Sequence, residues 1–350
     1  MSIRALEFYS GIGGLHIALS RSDVDAQVIR AFDWDQTACQ VYEANHGDIV
    51  QKVDISTLTA SLLSPLKANL WLLSPACQPY TVLNPNARGA EDPRAQSFLH
   101  LVQNVVPELA SSDEHPDRLL IENVAGFEAS STRGNLVSTL RSIGYTTVEL
   151  LLTPLQFGIP NSRLRYYLLA KKSPLSFAET QHDEHSQASD PRMVNMIKEY
   201  LDPSDVSESY AIPDKVLKKW GRLFDIVKPS FRRTCCFTRG YTQMVERAGS
   251  ILQENEDLDT AATFDAFLEA SNSGEPDAVN ILRPLCLRYF SPSELLRIFA
   301  FDSPTFLGQS TFIWPETIST KSKYKLIGNS VNVHVVQQLI EYLFQEPEPL

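Results

Sequence analysis

Short apolar runs alternate with amphipathic segments along the first 171 residues. Ala5–Tyr9, Val28–Phe32, Leu70–Leu73, Arg118–Ile121, Thr147–Leu152 and Arg165–Ala170 each have the length and content of a buried strand. Helical patterns such as Gly14–Ser20 and Ala95–Leu109 separate most of them. That rhythm predicts an α/β fold with a doubly wound, mostly parallel sheet.

After Lys172 the pattern decays. The stretch KKSPLSFAETQHDEHSQASDP is polar and reads as a surface loop or disordered link. Regular structure returns near Ile281, where Ser291-Pro-Ser-Glu294 predicts a helix start with a capping box and Val331–Phe344 predicts a closing helix. The expected layout is a catalytic α/β domain over 1–172, a linker and smaller inserted domain over 173–280, and a return to the first domain over 281–350.

Length and composition narrow the class. A chain of 350 residues exceeds one typical domain, and its 43% apolar content is that of a globular protein. No apolar run approaches the roughly 18 residues that span a bilayer, and the first residues enter a strand pattern at once. A soluble, intracellular protein is expected, resident in cytoplasm, nucleus or both. The formal charge of −11 argues against non-specific coating of nucleic acid. It is unevenly spread. Pro213–Arg247 holds nine Lys or Arg against three acids, whereas Ile251–Asp277 is acidic with no Lys or Arg. Such a basic segment is either a local polyanion contact or a solvated face. The five cysteines, 39, 77, 235, 236 and 286, make a poor disulfide framework and lack the paired spacing of a zinc site, so no metal is expected.

Candidate chemistry gathers at the strand ends. LEFYSGIGGLHIAL places a glycine-rich turn between the first strand and first helix, where backbone can approach a ligand closely. A dinucleotide fingerprint needs a third glycine where His16 stands. Phe32-Asp33-Trp34-Asp35 offers an acid for ribose hydroxyls and an aromatic for adenine, and Asp54-Ile55 a carboxylate for an adenine amine. A nucleoside without pyrophosphate fits, and S-adenosylmethionine is the candidate; an ordinary tight turn is the alternative. Cys77, in SPACQP, follows the next strand between two prolines. Alone, it is equally a buried inert thiol. LLIENV brings Glu122 and Asn123 to the same edge, where a carboxylate is costly without a partner or a task. In NSRLRYYLLA, Arg163 and Arg165 alternate with apolar residues and so should share a face.

Together these groups specify methylation of cytosine at carbon 5. A thiolate at Cys77 adds to carbon 6, and carbon 5 of the resulting enamine attacks the methyl group. Glu122 donates to N3 and holds the exocyclic amine, which requires a carboxyl kept protonated by burial. Arginine charge favours the thiolate and holds the base carbonyl or a phosphate. Loss of the carbon 5 proton then releases the thiol.

The same motifs, in order, resemble the cytosine carbon-5 methyltransferases: FYSGIGG, FDWD, CQP, IENV, SRLRY, LRYFSPSELLRIFAF and KLIGNSVNVHVV. IENVAGFEASSTR, TPLQFGIPNSRLRYYLLA and above all CFTRGY at Cys236–Tyr241 are similar to the type-two DNA methyltransferases, a subfamily known for methylating an anticodon-loop cytosine of aspartate tRNA. The likeness covers roughly 3–171 and 228–345. It implies a Rossmann-like S-adenosylmethionine-dependent methyltransferase fold with an inserted target-recognition domain, and a monomer is expected. By position it implies cofactor contacts at Phe8, Gly11, Ile12, Gly13, Gly14, Asp33, Trp34, Asp54, Ile55, Ser74, Asn329 and Ser330, with Cys77 as nucleophile and Glu122, Arg163 and Arg165 as its catalytic partners. Lys228, Arg232, Arg233 and Arg239 are expected at the polynucleotide. The family usually has proline where this chain has Ala76, a change that frees the loop backbone. DNA methylation by the same chemistry, or binding without catalysis, are the alternatives. A loop cytosine in RNA is already partly unstacked, and one basic segment suits a compact RNA better than long tracking along DNA.

Overall fold

The computed structural model describes residues 2–76, 92, 95–178, 191–203, 210–303 and 310–347. Seven strands form the main sheet: β1 (Ile3–Phe8), β2 (Ala26–Asp33), β3 (Val50–Lys52), β4 (Leu70–Leu73), β5 (Arg118–Val124), β6 (Tyr145–Leu152) and β7 (Arg165–Lys172). Their order is β3-β2-β1-β4-β5-β7-β6, parallel except for β7, which runs against both neighbours. All six apolar runs are strands. β3 is short and partly exposed, so no apolar run announces it.

Period-two alternation splits the sheet's side chains between two cores. Leu70, Leu72, Leu120, Tyr167 and Leu169 face one cluster. Trp71, Leu73, Leu119, Ile121, Tyr166 and Leu168 face the other. Truncating any one of these buried leucines to alanine is expected to cost about 2–5 kcal/mol. The helix Gly14–Arg21 and the closing helix Val333–Phe344 pack together over the first face. Over the second face lies the expected segment after Ala95, as helix Gln96–His100, a π turn Leu101–Val105 and helix Val106–Ser111. Pro107 explains the wide turn: a tight one would press its ring on the preceding turn's carbonyl and lacks the N–H to complete it.

A second sheet is small, with β8 (Ile226–Val227), β9 (Ile251–Gln253) and β10 (Leu287–Arg288) in the order β10-β9-β8. Val227, Ile251 and Leu252 are in the same apolar cluster as the first helix, so this unit is not a separate core. The helix Pro292–Ile298 starts on the expected capping box: Glu294 N donates to Ser291 Oγ at 3.1 Å and Ser291 N to Glu294 Oε2 at 2.8 Å. Among the described residues no helix is long and apolar enough to cross a membrane.

The direction of winding reverses between β1 and β4. Their carboxyl ends therefore flank the crevice where open α/β sheets bind ligands.

Candidate active site

The chain leaves β1 through a cramped turn. Tyr9, Gly11 and Gly13 all have left-handed backbone, with φ of 57°, 54° and 87°, and Gly13 N donates to Ser10 O at 2.9 Å. Gly13 is required twice over, by its φ and because a Cβ there would lie 2.2 Å from His46 Nε2. Asp33, ending β2, braces the turn: its Oδ2 accepts from Gly11 N and its Oδ1 from Asp35 N, each at 2.8 Å. Burial pushes this carboxyl above its ordinary range, against the pull of those amides. Each oxygen keeps a lone pair for a hydroxyl.

The turn opens onto a cleft lined by Tyr9, Ser10, Gly11, Gly14, Leu15, Ser74, Asn329, Ser330 and Val331. Gly11, Gly14, Ser74, Asn329 and Ser330 are thus brought together as expected. Ser74 Oγ donates to Tyr9 O at 3.0 Å, tying β4 to the turn. Trp34 is 69% exposed, its ring face open for stacking. Asp54 caps the following turn through Oδ1 to Ser56 N at 3.0 Å. Phe8, Ile12 and Ile55 have their side chains buried in the cores. Strand parity turns Phe8 inward to stack on Phe32, which leaves its backbone to the strand end. Ser10 Oγ is buried at the cleft with no hydrogen-bond partner among the described residues. Such an orphan fits a polar ligand that completes it. The sequence reading missed Tyr9, Ser10, Leu15 and Val331, though all lie inside the quoted motifs. It also missed Glu7, an acid inside an apolar strand: fully buried, it accepts from Tyr42 Oη at 2.7 Å and is pushed up to about 8 by burial.

The neighbouring strand end holds the acid. Glu122, on β5, is only 8% exposed, and Arg165 Nε lies 3.3 Å from its Oε1. They meet because β7 runs antiparallel: its start, not its end, reaches this edge, pairing Val124 with Arg165 and Glu122 with Tyr167. Burial raises the Glu122 carboxyl, outweighing the opposing charges of Arg165 and Arg163. Asn123 Nδ2 donates to Pro75 O at 3.4 Å and so ties this edge to the loop that continues to Cys77. Cys77 itself lies outside the described residues.

A buried carboxyl raised above its ordinary range lies near the end of β5, next to β4, which leads through Ser74 into the cleft. Residues 3–345 match the family described as C-5 cytosine-specific DNA methylase. The chain belongs to that family. A tRNA (cytosine(38)-C(5))-methyltransferase of Schizosaccharomyces pombe is 39% identical, covering 98% of this chain and 97% of the relative. A DNA (cytosine-5)-methyltransferase of Dictyostelium discoideum is 32% identical over 99% of this chain and 95% of its own. The crystal structure of S. pombe Dnmt2 methyltransferase superposes with a TM-score of 0.81 at 36% identity, covering 98% of both chains.

Within this cytosine methylase the two arginines part company. Arg163 is buried, donating to Phe237 O at 3.0 Å, Gly328 O at 3.3 Å and Ser330 O at 2.5 Å. It is a clamp joining the CFTRGY segment to the Asn329-Ser330 turn, and its charge reaches Glu122 only as a field. Although Arg163 precedes β7, in a loop where Ser162 N bonds Thr234 O at 2.9 Å, both arginines reach one group, the Cys236 sulfur, while their other partners differ. CFTRGY likewise packs on the cofactor side. A Cβ on Gly328 would lie 2.3 Å from the Thr238 carbonyl carbon, and Tyr241 Oη donates to Ser250 O at 2.8 Å.

Three of the four basic candidates have a partner within the chain, although Arg233 itself is exposed. Lys228 Nζ donates to Glu256 O and Leu258 O at 2.9 Å, Arg232 to Val194 O, and Arg233 pairs with Asp225 at 2.7 Å. Arg239 is exposed. Sequence counts charge, but only the fold shows which charges are spent on carbonyls.

Proposed function

We propose that the protein is an S-adenosylmethionine-dependent tRNA (cytosine-5) methyltransferase acting on an anticodon-loop cytosine, position 38 as in its named relatives, of aspartate tRNA. The observation that carries the chemistry is Glu122: buried, its carboxyl raised above the ordinary range by that burial, with Arg165 Nε at 3.3 Å. The cleft residues Gly11, Gly14, Ser74, Asn329 and Ser330 would hold the cofactor, Asp33 and Asp54 its hydroxyls and amine, and Trp34 its adenine. When bound there, S-adenosylmethionine supplies an electrophilic methyl group.

The chain's own residues prepare the base. Cys77 as thiolate forms a bond to carbon 6 of the cytosine, and the electron pair displaced towards N3 is received with a proton from Glu122. Carbon 5 is thereby made nucleophilic. Arg165 orients the Glu122 carboxyl. After carbon 5 gives up its proton, the carbon 6–sulfur bond breaks and Cys77 leaves as thiolate. Ala76 removes no reacting group from this sequence.

Support for tRNA comes from the S. pombe relative's name and identity, and from a single basic segment rather than a long positive face. DNA is the second reading, favoured by the name of the Dictyostelium relative. On the first reading residues 1–172 and 281–350 build the catalytic unit, 173–280 recognises RNA with Arg239 towards the phosphates, and the enzyme works as a monomer in cytoplasm, nucleus or both. The test is competition: equal tRNA and duplex DNA with labelled methyl donor should label tRNA, and Cys77→Ala should abolish product. Preferential labelling of DNA overturns the RNA reading, and undiminished activity in Cys77→Ala overturns the thiolate mechanism.

A further inference from the structure

Three separate segments bring four titratable side chains together behind the base-facing edge. Arg163 Nη1 donates to Cys236 Sγ at 3.4 Å and Arg165 Nη2 to the same sulfur at 3.8 Å. Arg165 also reaches Glu122 through its Nε, at 3.3 Å. One guanidinium therefore bridges two acids. Whichever of them ionises takes up the arginine's charge and makes ionisation of the other more costly.

We propose that the Cys236 sulfur, as thiolate, is the resident counter-ion of the Arg163–Arg165 pair and thereby leaves Glu122 neutral to donate to the cytosine. Cys236 is then a positioning residue that acts through Glu122 and makes no bond to the substrate. The inference rests on Glu122 being the acid of the proposed reaction.

The surroundings favour this division of roles. Burial opposes ionisation of Cys236, but the charges of Arg163 and then Arg165 outweigh it and bring the thiol below its ordinary range. At Glu122 burial wins over the same two arginines. Tyr167, facing Glu122 from β7, is fully buried and pushed up by burial, so it stays neutral. The adjacent Cys235 is pushed up to about 11 by burial, with Asp225 adding to the effect. Two neighbouring thiols are thus shifted in opposite directions, and only Cys236 touches the arginines. Phe237 O, 3.7 Å from the Cys236 sulfur, would be the acceptor were it a thiol; as thiolate it gives up that contact, and the carbonyl keeps Arg163 Nη1 at 3.0 Å.

The test begins on the free protein. The ultraviolet thiolate absorbance of the parent minus that of Cys236→Ser, followed with pH, isolates this sulfur without RNA or methyl donor. It should ionise below the free-cysteine value of about 8.5, and at still lower pH in a Glu122→Gln background, where the competing acid is gone. Ionisation at or above the free-cysteine value overturns the proposal, whatever the protein methylates. Catalysis supplies the second arm. In Cys236→Ser the arginines lean on Glu122, so the alkaline limb of the kcat profile should move to lower pH, losing about tenfold in rate per pH unit above it, and Cys236→Asp should restore it. A uniform fall with no movement of the limb makes the sulfur a packing group and contradicts the proposal. A parent that methylates no RNA defeats the functional reading while leaving the titration decisive for the counter-ion.

Discussion

The main sheet and the unit around β8–β10 are held together by different means. In the sheet, strands such as β4 and β5 bury runs of apolar side chains, and Glu7 within β1 is a fully buried exception. In the smaller unit the strands are two or three residues long. Its shape depends on long side chains bonded to backbone carbonyls, with Lys228, Arg232 and Arg163 as the fasteners. Hydrophobic burial is non-directional and tolerant, whereas a charged fastener works only with its own partners in place.

That contrast can be broken most severely at Arg163. Arg163→Ala should strip donors from three buried carbonyls at the seam between the units and cost about 3–5 kcal/mol, read by urea unfolding. A loss below about 1 kcal/mol, the worth of a surface pair, would mean that the seam does not depend on it.

Glu7 supplies the next largest effect, on the sheet side. Its folded carboxyl is raised from 4.5 to about 8, so between those values the folded state binds more protons than the unfolded. Stability should therefore fall as pH rises through that window, by about 2–4 kcal/mol, and level off above it. Glu7→Gln should flatten the slope in denaturation measured across pH; an unchanged slope would place the titration elsewhere.

Lys228→Ala should cost about 1–2 kcal/mol of stability through its two carbonyl bonds. Arg239→Ala should change stability by less than about 0.5 kcal/mol yet weaken RNA binding, lowering the slope of log affinity against log salt by roughly one. If Lys228→Ala instead weakened RNA binding with full stability, its assignment as a fastener would be wrong.

The same division explains what could be read from the chain. Runs such as those of β4 and β5 were legible because strands buried on both faces carry their pattern in composition, and the capping box at Ser291 is a local motif. β3 carries no apolar run because two of its three residues, Gln51 and Lys52, are exposed, and only its end before Asp54 could be placed. Glu122 was legible as an acid closing an apolar run. Arg163 and Arg165 meet at one sulfur as their spacing suggested, but the carbonyls that Arg163 also holds come from distant segments and left no local signal. The neighbouring Cys235 and Cys236 look equivalent in sequence; arginines 70 or more positions away separate them. Among the basic candidates, Lys228 and Arg232 were indistinguishable from Arg239 until the carbonyls folded against them.

The central claim is that Cys77 bonds to the cytosine while Glu122 protonates it from the other side. Transfer RNA containing 5-fluorocytosine, incubated with the enzyme and S-adenosylmethionine, should trap that bond, since fluorine at carbon 5 blocks the proton loss that releases the thiol. Peptide mapping of the adduct should find the RNA on Cys77, with no adduct in Cys77→Ala and much slower trapping in Glu122→Gln. An adduct on Cys236, or undiminished trapping in Cys77→Ala, would contradict the account.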